Sequence, residues 1–231
     1  MHFRHHNSFC SMYAWFSARL DEGLNMDMKK FLEPTPYIDC DAEPVKEKAR
    51  EIVQGLTAQR KKAIKIFYAV RDGIKYTIYG KRSLPEHFRA SFVLSSGEGY
   101  CVQKAILLVA LARAASIPAR LRLAAIRSHL VPKEMLEKRG SNLFPYHGYA
   151  DLYLEGSWVK VTPTFDIDSC VDAGLRPVDF DGAHDALLPP TTFDGRLHIE
   201  YVEDRGSFED VPFDTIMAAS LRHKYVNSSG T

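Results

Sequence analysis

Apolar positions along the chain change their period several times, and each change predicts an element. In EPVKEKAREIVQGL (43–56) Val45, Ala49, Ile52, Val53 and Leu56 recur at the spacing of one helical stripe, with Pro44 suited to the first turn and Gly55 near the C-terminal end. A second stripe, Ala63, Ile66, Phe67 and Val70, predicts a helix that Thr57 can cap and that closes at Asp72-Gly73. IKYTIY (74–79) alternates as a short, loose strand, and residues 80–99 carry turn signals at Gly80, Pro85, Gly97 and Gly99. CVQKAILLVALARAAS (101–116) is nearly all apolar, with Gln103, Lys104 and Arg113 as its exceptions. A helix apolar around most of its circumference is a buried central one, and Ile117-Pro118 ends it.

Beyond it the period switches to two. ARLRLAAIR (119–127) sets Leu121, Leu123 and Ala125 on one face. The charged stretch 128–145 is long for a connection and predicts a lid or substrate-shaping loop. YHGYADLYLEGSWVKVTPTFD (146–166) reads as a hairpin. His147, Tyr149, Asp151 and Tyr153 share a face of its first strand, Glu155-Gly156-Ser157 turns, and Trp158 opens the antiparallel return. LHIEYV (197–202) is strand-like, and DTIMAASLRHKYV (214–226) predicts a last helix with Ile216, Met217 and Leu221 inward. FLEPTPYIDC (31–40), with two prolines, is an extended lead-in. Patterning begins only after Met28. Residues 1–27, including His2, His5 and His6, are therefore expected to form a disordered N-terminal extension, and 28–231 a single domain.

Composition narrows the function. The 231 residues are 45% hydrophobic and 26% charged, with a net charge of +1, and no basic stripe tracks a phosphate backbone, so no nucleic-acid partner is expected. Four cysteines without a CxxC pair argue against a disulfide framework and a structural zinc. No metal or cofactor is expected. No apolar run is long enough for a bilayer and the N-terminus makes a poor secretory signal, so a cytoplasmic protein without membrane association is expected. The oligomeric state is not encoded in any feature of this kind.

Cys101 is the candidate nucleophile. It sits at the predicted start of the buried helix after Gly97-Glu98-Gly99-Tyr100, with no Ser, Thr, Asp or Asn directly ahead to cap the free amides. Those amides and the helix dipole can stabilise a thiolate, and the Cys101 amide can bind an oxyanion. A cysteine that merely packs in a core helix fits this context equally well.

GYCVQKAILLVALARAASIPARLRLA followed by YHGYADLYLEGSWVKVTPTFD resembles the transglutaminase-like superfamily. Its members carry a Gly-aromatic/small-Cys helix start, an alanine-rich helix ending in GIPAR (here Ser116-Ile117-Pro118-Ala119-Arg120), a His-initiated strand and a Trp-led return. The resemblance runs over roughly residues 28–212 in pattern. It implies an α+β, papain-like fold with a Cys-His-Asp triad. Cys101 matches the nucleophile and His147 the base. The third member departs from the pattern. The family's Asp lies four residues after the return-strand Trp, where this chain has Thr162. Asp166 is the nearest carboxylate that could curl back and is favoured over Asp168, a Thr162 hydroxyl, and Asp151, which two residues of strand set roughly 6.6–6.8 Å from His147. The implied chemistry is acyl transfer on a peptide or protein amide, resolved by water (protease, deamidase) or an amine (transglutaminase). Other Cys-His-Asp acyl enzymes such as peptide N-glycanases and arylamine N-acetyltransferases remain rivals. So does a catalytically weak or inactive peptide-binding module on the same scaffold.

Overall fold

The computed structural model describes residues 28–225; the extension expected over residues 1–27, with its histidines, lies outside them. The two early stripes form α1 (Glu43–Ile52) and α2 (Gln59–Gly73), burying Val45 and Ala49, then Ala63, Ile66, Phe67 and Val70. Ala58 rather than Thr57 stands at the start of α2, and no side chain caps it. The loose strand contracts to β1 (Lys75–Tyr76), which pairs in parallel with β2 (Glu98–Gly99) through Lys75↔Glu98 and Tyr76↔Gly99. The intervening stretch is not merely turns: a 3-10 turn at Pro85–Phe88 leads into α3 (Ala90–Ser96), ended by Gly97 in the left-handed region (φ 67°).

The central helix is α4 (Cys101–Ala114), with every residue from Val102 to Arg113 buried. Burying three long polar side chains is costly unless each finds partners, and each does. Gln103 Nε2 donates to the carbonyls of Lys81 and His87. Lys104 Nζ donates to those of Arg71 and Ile74, capping the C-terminal end of α2. Arg113 donates to the carbonyls of Ala119, Glu33 and Glu209. The polar exceptions in the helix are thus the clamps that hold loops against it. Its C-terminus closes as a Schellman motif, with Ile117 N donating to Ala112 O and Ser116 N to Arg113 O. Ser116 takes the left-handed position at φ 63°.

One face of α4 packs on an antiparallel four-stranded sheet and the others on α1, α2 and α3. The sheet comprises β3 (Ala119–Ser128), β4 (Leu143–Leu154), β5 (Ser157–Val161) and β6 (Ile199–Phe208), in the order β5-β4-β3-β6. Leu121, Leu123, Ala150 and Leu152 face the helix and are fully buried. Between β3 and β4 the expected loop contains α5 (Lys133–Arg139), and β4 starts as far back as Leu143. Pro145 is tolerated within β4 because the β3–β4 register shifts between Ala124 and Ile126. Glu155 (φ 50°) and Gly156 (φ 90°) make the two-residue turn to β5, both in the left-handed region. The remaining helices are α6 (Ile167–Ala173) and α7 (Phe213–Tyr225); Ile216 of α7 is buried and Met217 packs on the core. Among the described residues no helix is long and apolar enough to cross a membrane.

Candidate active site

Cys101 is the first residue of α4, half-buried, and follows Tyr100 in extended conformation. No side chain caps this end. Instead Gln103 Oε1 accepts the Tyr100 amide at 3.2 Å, which leaves the amides of Cys101 and Val102 beside the sulfur. A third amide reaches it from the sheet, that of Gly148. All three favour the thiolate, as does the nearby Arg82 guanidinium, yet burial outweighs them and holds the thiol above its ordinary value of 9. The helix end thus supplies donors to the sulfur, and desolvation works against them.

Gly148 shows how the strand comes so close. A Cβ there would lie 2.5 Å from Val102 Cα, so only glycine lets β4 press its backbone onto the first turn of α4. Cys101 and His147 are the residues immediately preceding the two that touch. His147 itself is 1% exposed, and burial pushes its imidazole down to about 3, so it is neutral at physiological pH. Its Nε2 lies 3.4 Å from the Tyr201 hydroxyl, its ring stacks near Tyr149 (centroids 6.1 Å, 17°), and Tyr201 meets it edge-on (5.8 Å, 76°). Among the described residues no carboxylate hydrogen-bonds His147.

The acidic candidates are engaged elsewhere. Asp166, assigned from sequence as the third member, caps α6: Oδ1 accepts Ser169 N at 2.9 Å, and Oδ2 accepts Ser169 Oγ at 2.9 Å and Tyr76 N at 2.7 Å. It ties β1 to α6, and it is not brought to His147. Asp151 shares the strand face with His147 but turns Oδ2 to Arg120 (2.9 Å) and Arg122 (3.1 Å). Asp168 is exposed on the first turn of α6. Thr162 is fully buried; its amide donates to Ala186 O, and its hydroxyl has no hydrogen-bond partner. That hydroxyl lies beside the Tyr201 phenol and pulls it down, against the burial and the nearby Cys101 that together hold the phenol well above its ordinary value.

Tyr201 is the residue that sequence reading missed. It comes from β6, 54 residues from His147, and its hydroxyl also accepts the Leu188 amide at 3.4 Å. Its one signal was its place in the strand-like LHIEYV segment, which does not say what it faces. Tyr76 and Phe165, edge-to-face at 4.7 Å, wall the site nearby, and burial first, then the neighbouring Cys101, hold the Tyr76 phenol well above its ordinary value.

Residues 46–163, just over half of the chain and spanning both Cys101 and His147, match the family model of the transglutaminase-like superfamily. The chain belongs to that superfamily. Among solved structures, a candidate cysteine protease from Cytophaga hutchinsonii superimposes with a TM-score of 0.51 at 18% identity, covering 82% of this chain and 50% of its own. The chain thus spans half the length of that protein. The periplasmic domain of TgpA from Pseudomonas aeruginosa matches over 52% of this chain and 42% of its own (TM-score 0.40, 19% identity). A candidate protease from Parabacteroides distasonis matches over 57% and 24% (TM-score 0.38, 16% identity). At these identities the likeness is one of fold. No protein of curated function matches significantly. Membership of the superfamily makes this transglutaminase-like chain one of a thiol-enzyme family, with an α+β fold in which the cysteine helix packs on an antiparallel sheet.

Proposed function

We propose that the protein carries out thiol-dependent acyl transfer or hydrolysis on peptide or protein amide bonds, with Cys101 as nucleophile and His147 as base. The observation that carries this reading is the contact of Gly148 with Val102, which sets the strand bearing His147 directly on the helix turn bearing Cys101. Because both groups rest uncharged, the thiol proton passes to His147 as the sulfur attacks the amide carbonyl. The Cys101 amide binds the oxyanion. His147 returns the proton to the departing amine, the C–N bond breaks, and a thioester remains for water or a second amine. In this reading Tyr201, at His147 Nε2, does the orienting that a carboxylate does in a Cys-His-Asp triad, leaving Nδ1 for the thiol.

Turnover of a peptide-amide library, with and without added amine, tests the reading. The wild-type chain is expected to release product and Cys101→Ala to release none; equal turnover in both would remove the enzyme assignment. A weak or non-catalytic peptide-binding module is the second reading, favoured by the lack of a carboxylate at His147. Thr162→Asp separates the two. A carboxylate there stabilises imidazolium, so an enzyme limited by its missing acid gains about tenfold or more in turnover. A binding module stays silent in both forms.

A further inference from the structure

Among the described residues, two arginines flanking the site, Arg82 from the loop ahead of α3 and Arg139 from the end of α5, have no ion-pair partner. Arg82 is exposed, and its guanidinium lies over the Tyr100 ring at 5.4 Å, next to Cys101 in sequence. It is held there by α4 itself, since Gln103 grips the carbonyl of the preceding Lys81 at 2.9 Å. Arg139, the last residue of α5, lies over the Phe144 ring at 4.2 Å, three residues ahead of His147 on β4. One of its terminal nitrogens donates to Leu143 O, while its buried Nε has no partner. The two guanidinium groups are close enough to repel, Arg82 helping burial to pull the Arg139 pKa down. Most other arginines of the sheet and helices are neutralised: Arg120 and Arg122 by Asp151, Arg127 by Glu200, Arg60 by Glu155, Arg71 by Asp72 and Asp179. Among the described residues no carboxylate answers Arg82 or Arg139.

Arg82 over the residue before Cys101 and Arg139 over a residue of the strand that bears His147 are two like charges, each backed by an aromatic face, and an anion between them relieves both. We propose that Arg82 and Arg139 form a carboxylate-binding subsite next to Cys101. The amide that the site accepts then carries a carboxylate close to the reacting carbonyl, either an acidic side chain or a free C-terminus. This deepens the assignment of Cys101 as nucleophile and rests on it.

The test compares alkylation of Cys101 by iodoacetate and by iodoacetamide at low ionic strength, read by peptide mass spectrometry. The ratio of the two rates cancels any change in thiolate fraction. It is expected to fall about tenfold in Arg82→Gln/Arg139→Gln, by a smaller factor in each single variant, and in the wild type when salt is raised to about 1 M. Chloroacetyl-Gly-Glu-amide, chloroacetyl-Gly-Gln-amide and chloroacetyl-Gly-Gly with a free carboxylate separate the sources. A faster Glu amide assigns a side-chain carboxylate, a faster free acid assigns a C-terminus, and both advantages vanish in the double variant. Ratios identical in wild type and variants overturn the subsite while leaving the nucleophile standing. Failure of every reagent to label Cys101 overturns the nucleophile, and the subsite with it.

Discussion

At the scale of single residues, the chemistry turns on how dry the site is. A cysteine at a helix start beside three amides is the usual recipe for a low-pKa thiol, and the sequence pointed to one. The coordinates put the sulfur against β4 and the imidazole behind Tyr149 and Tyr201, and desolvation then moves both groups toward their neutral forms. For the thiol, the charged form is the deprotonated one, so its pKa rises; for the imidazole it is the protonated one, so its pKa falls. Carbamidomethylation of Cys101 by iodoacetamide should accordingly climb about tenfold per pH unit between pH 6 and 9, because only thiolate reacts. A rate already level at neutral pH would mean a thiolate–imidazolium pair, and the burial argument would fail. What lies beside His147 was not legible in the sequence, because it depends on strands far apart along the chain. Asp166 is the carboxylate just beyond the return strand, but its oxygens cap α6 and hold Tyr76. The hydroxyl that does meet His147 comes from another strand.

Elements explain what was and was not legible. The stripes of α1 and α2, the all-round apolar α4, the alternation of β3 and the His-to-Trp hairpin are long or strictly periodic, and each forms, although α1 stops at Ile52, short of the Val53 and Leu56 that its stripe also included. α3, α5 and α6 are each seven residues long, about two turns, too short for a 3.6-residue period to separate from loop. α5 occupies part of what read as a lid. β6 runs on to Phe208, well past the apolar LHIEYV, because its later residues lie exposed at the sheet edge and carry no hydrophobic alternation. One position just past the C-terminal end of α4 departs from the family in a way that can be measured. Where GIPAR has glycine, this chain has Ser116 in the left-handed region that closes the helix. Glycine adopts that conformation without the steric cost a Cβ brings. Ser116→Gly should therefore raise stability by about 0.5–1 kcal/mol in urea unfolding, with the midpoint moving up and the slope unchanged. A destabilised variant would mean the serine side chain contributes more than its backbone costs.

For the molecule as a whole, the site is a product of tertiary structure. Cys101 and His147 lie on different layers, the helix and the sheet, and beside these two residues the layers approach backbone to backbone at Gly148, where any side chain would strike the Val102 backbone. Family membership, covering residues 46–163, accounts for that scaffold. It does not by itself assign roles to Tyr201, Arg82 or Thr162. Pairing of one sulfur with one imidazole can be read from acylation by p-nitrophenyl acetate followed by intact and peptide mass spectrometry. One acetyl group per chain is expected, carried on Cys101, formed about a hundredfold or more slowly in His147→Ala and absent in Cys101→Ala. Acetyl found on Cys40 or Cys170 instead, or formed at an undiminished rate without His147, would contradict it.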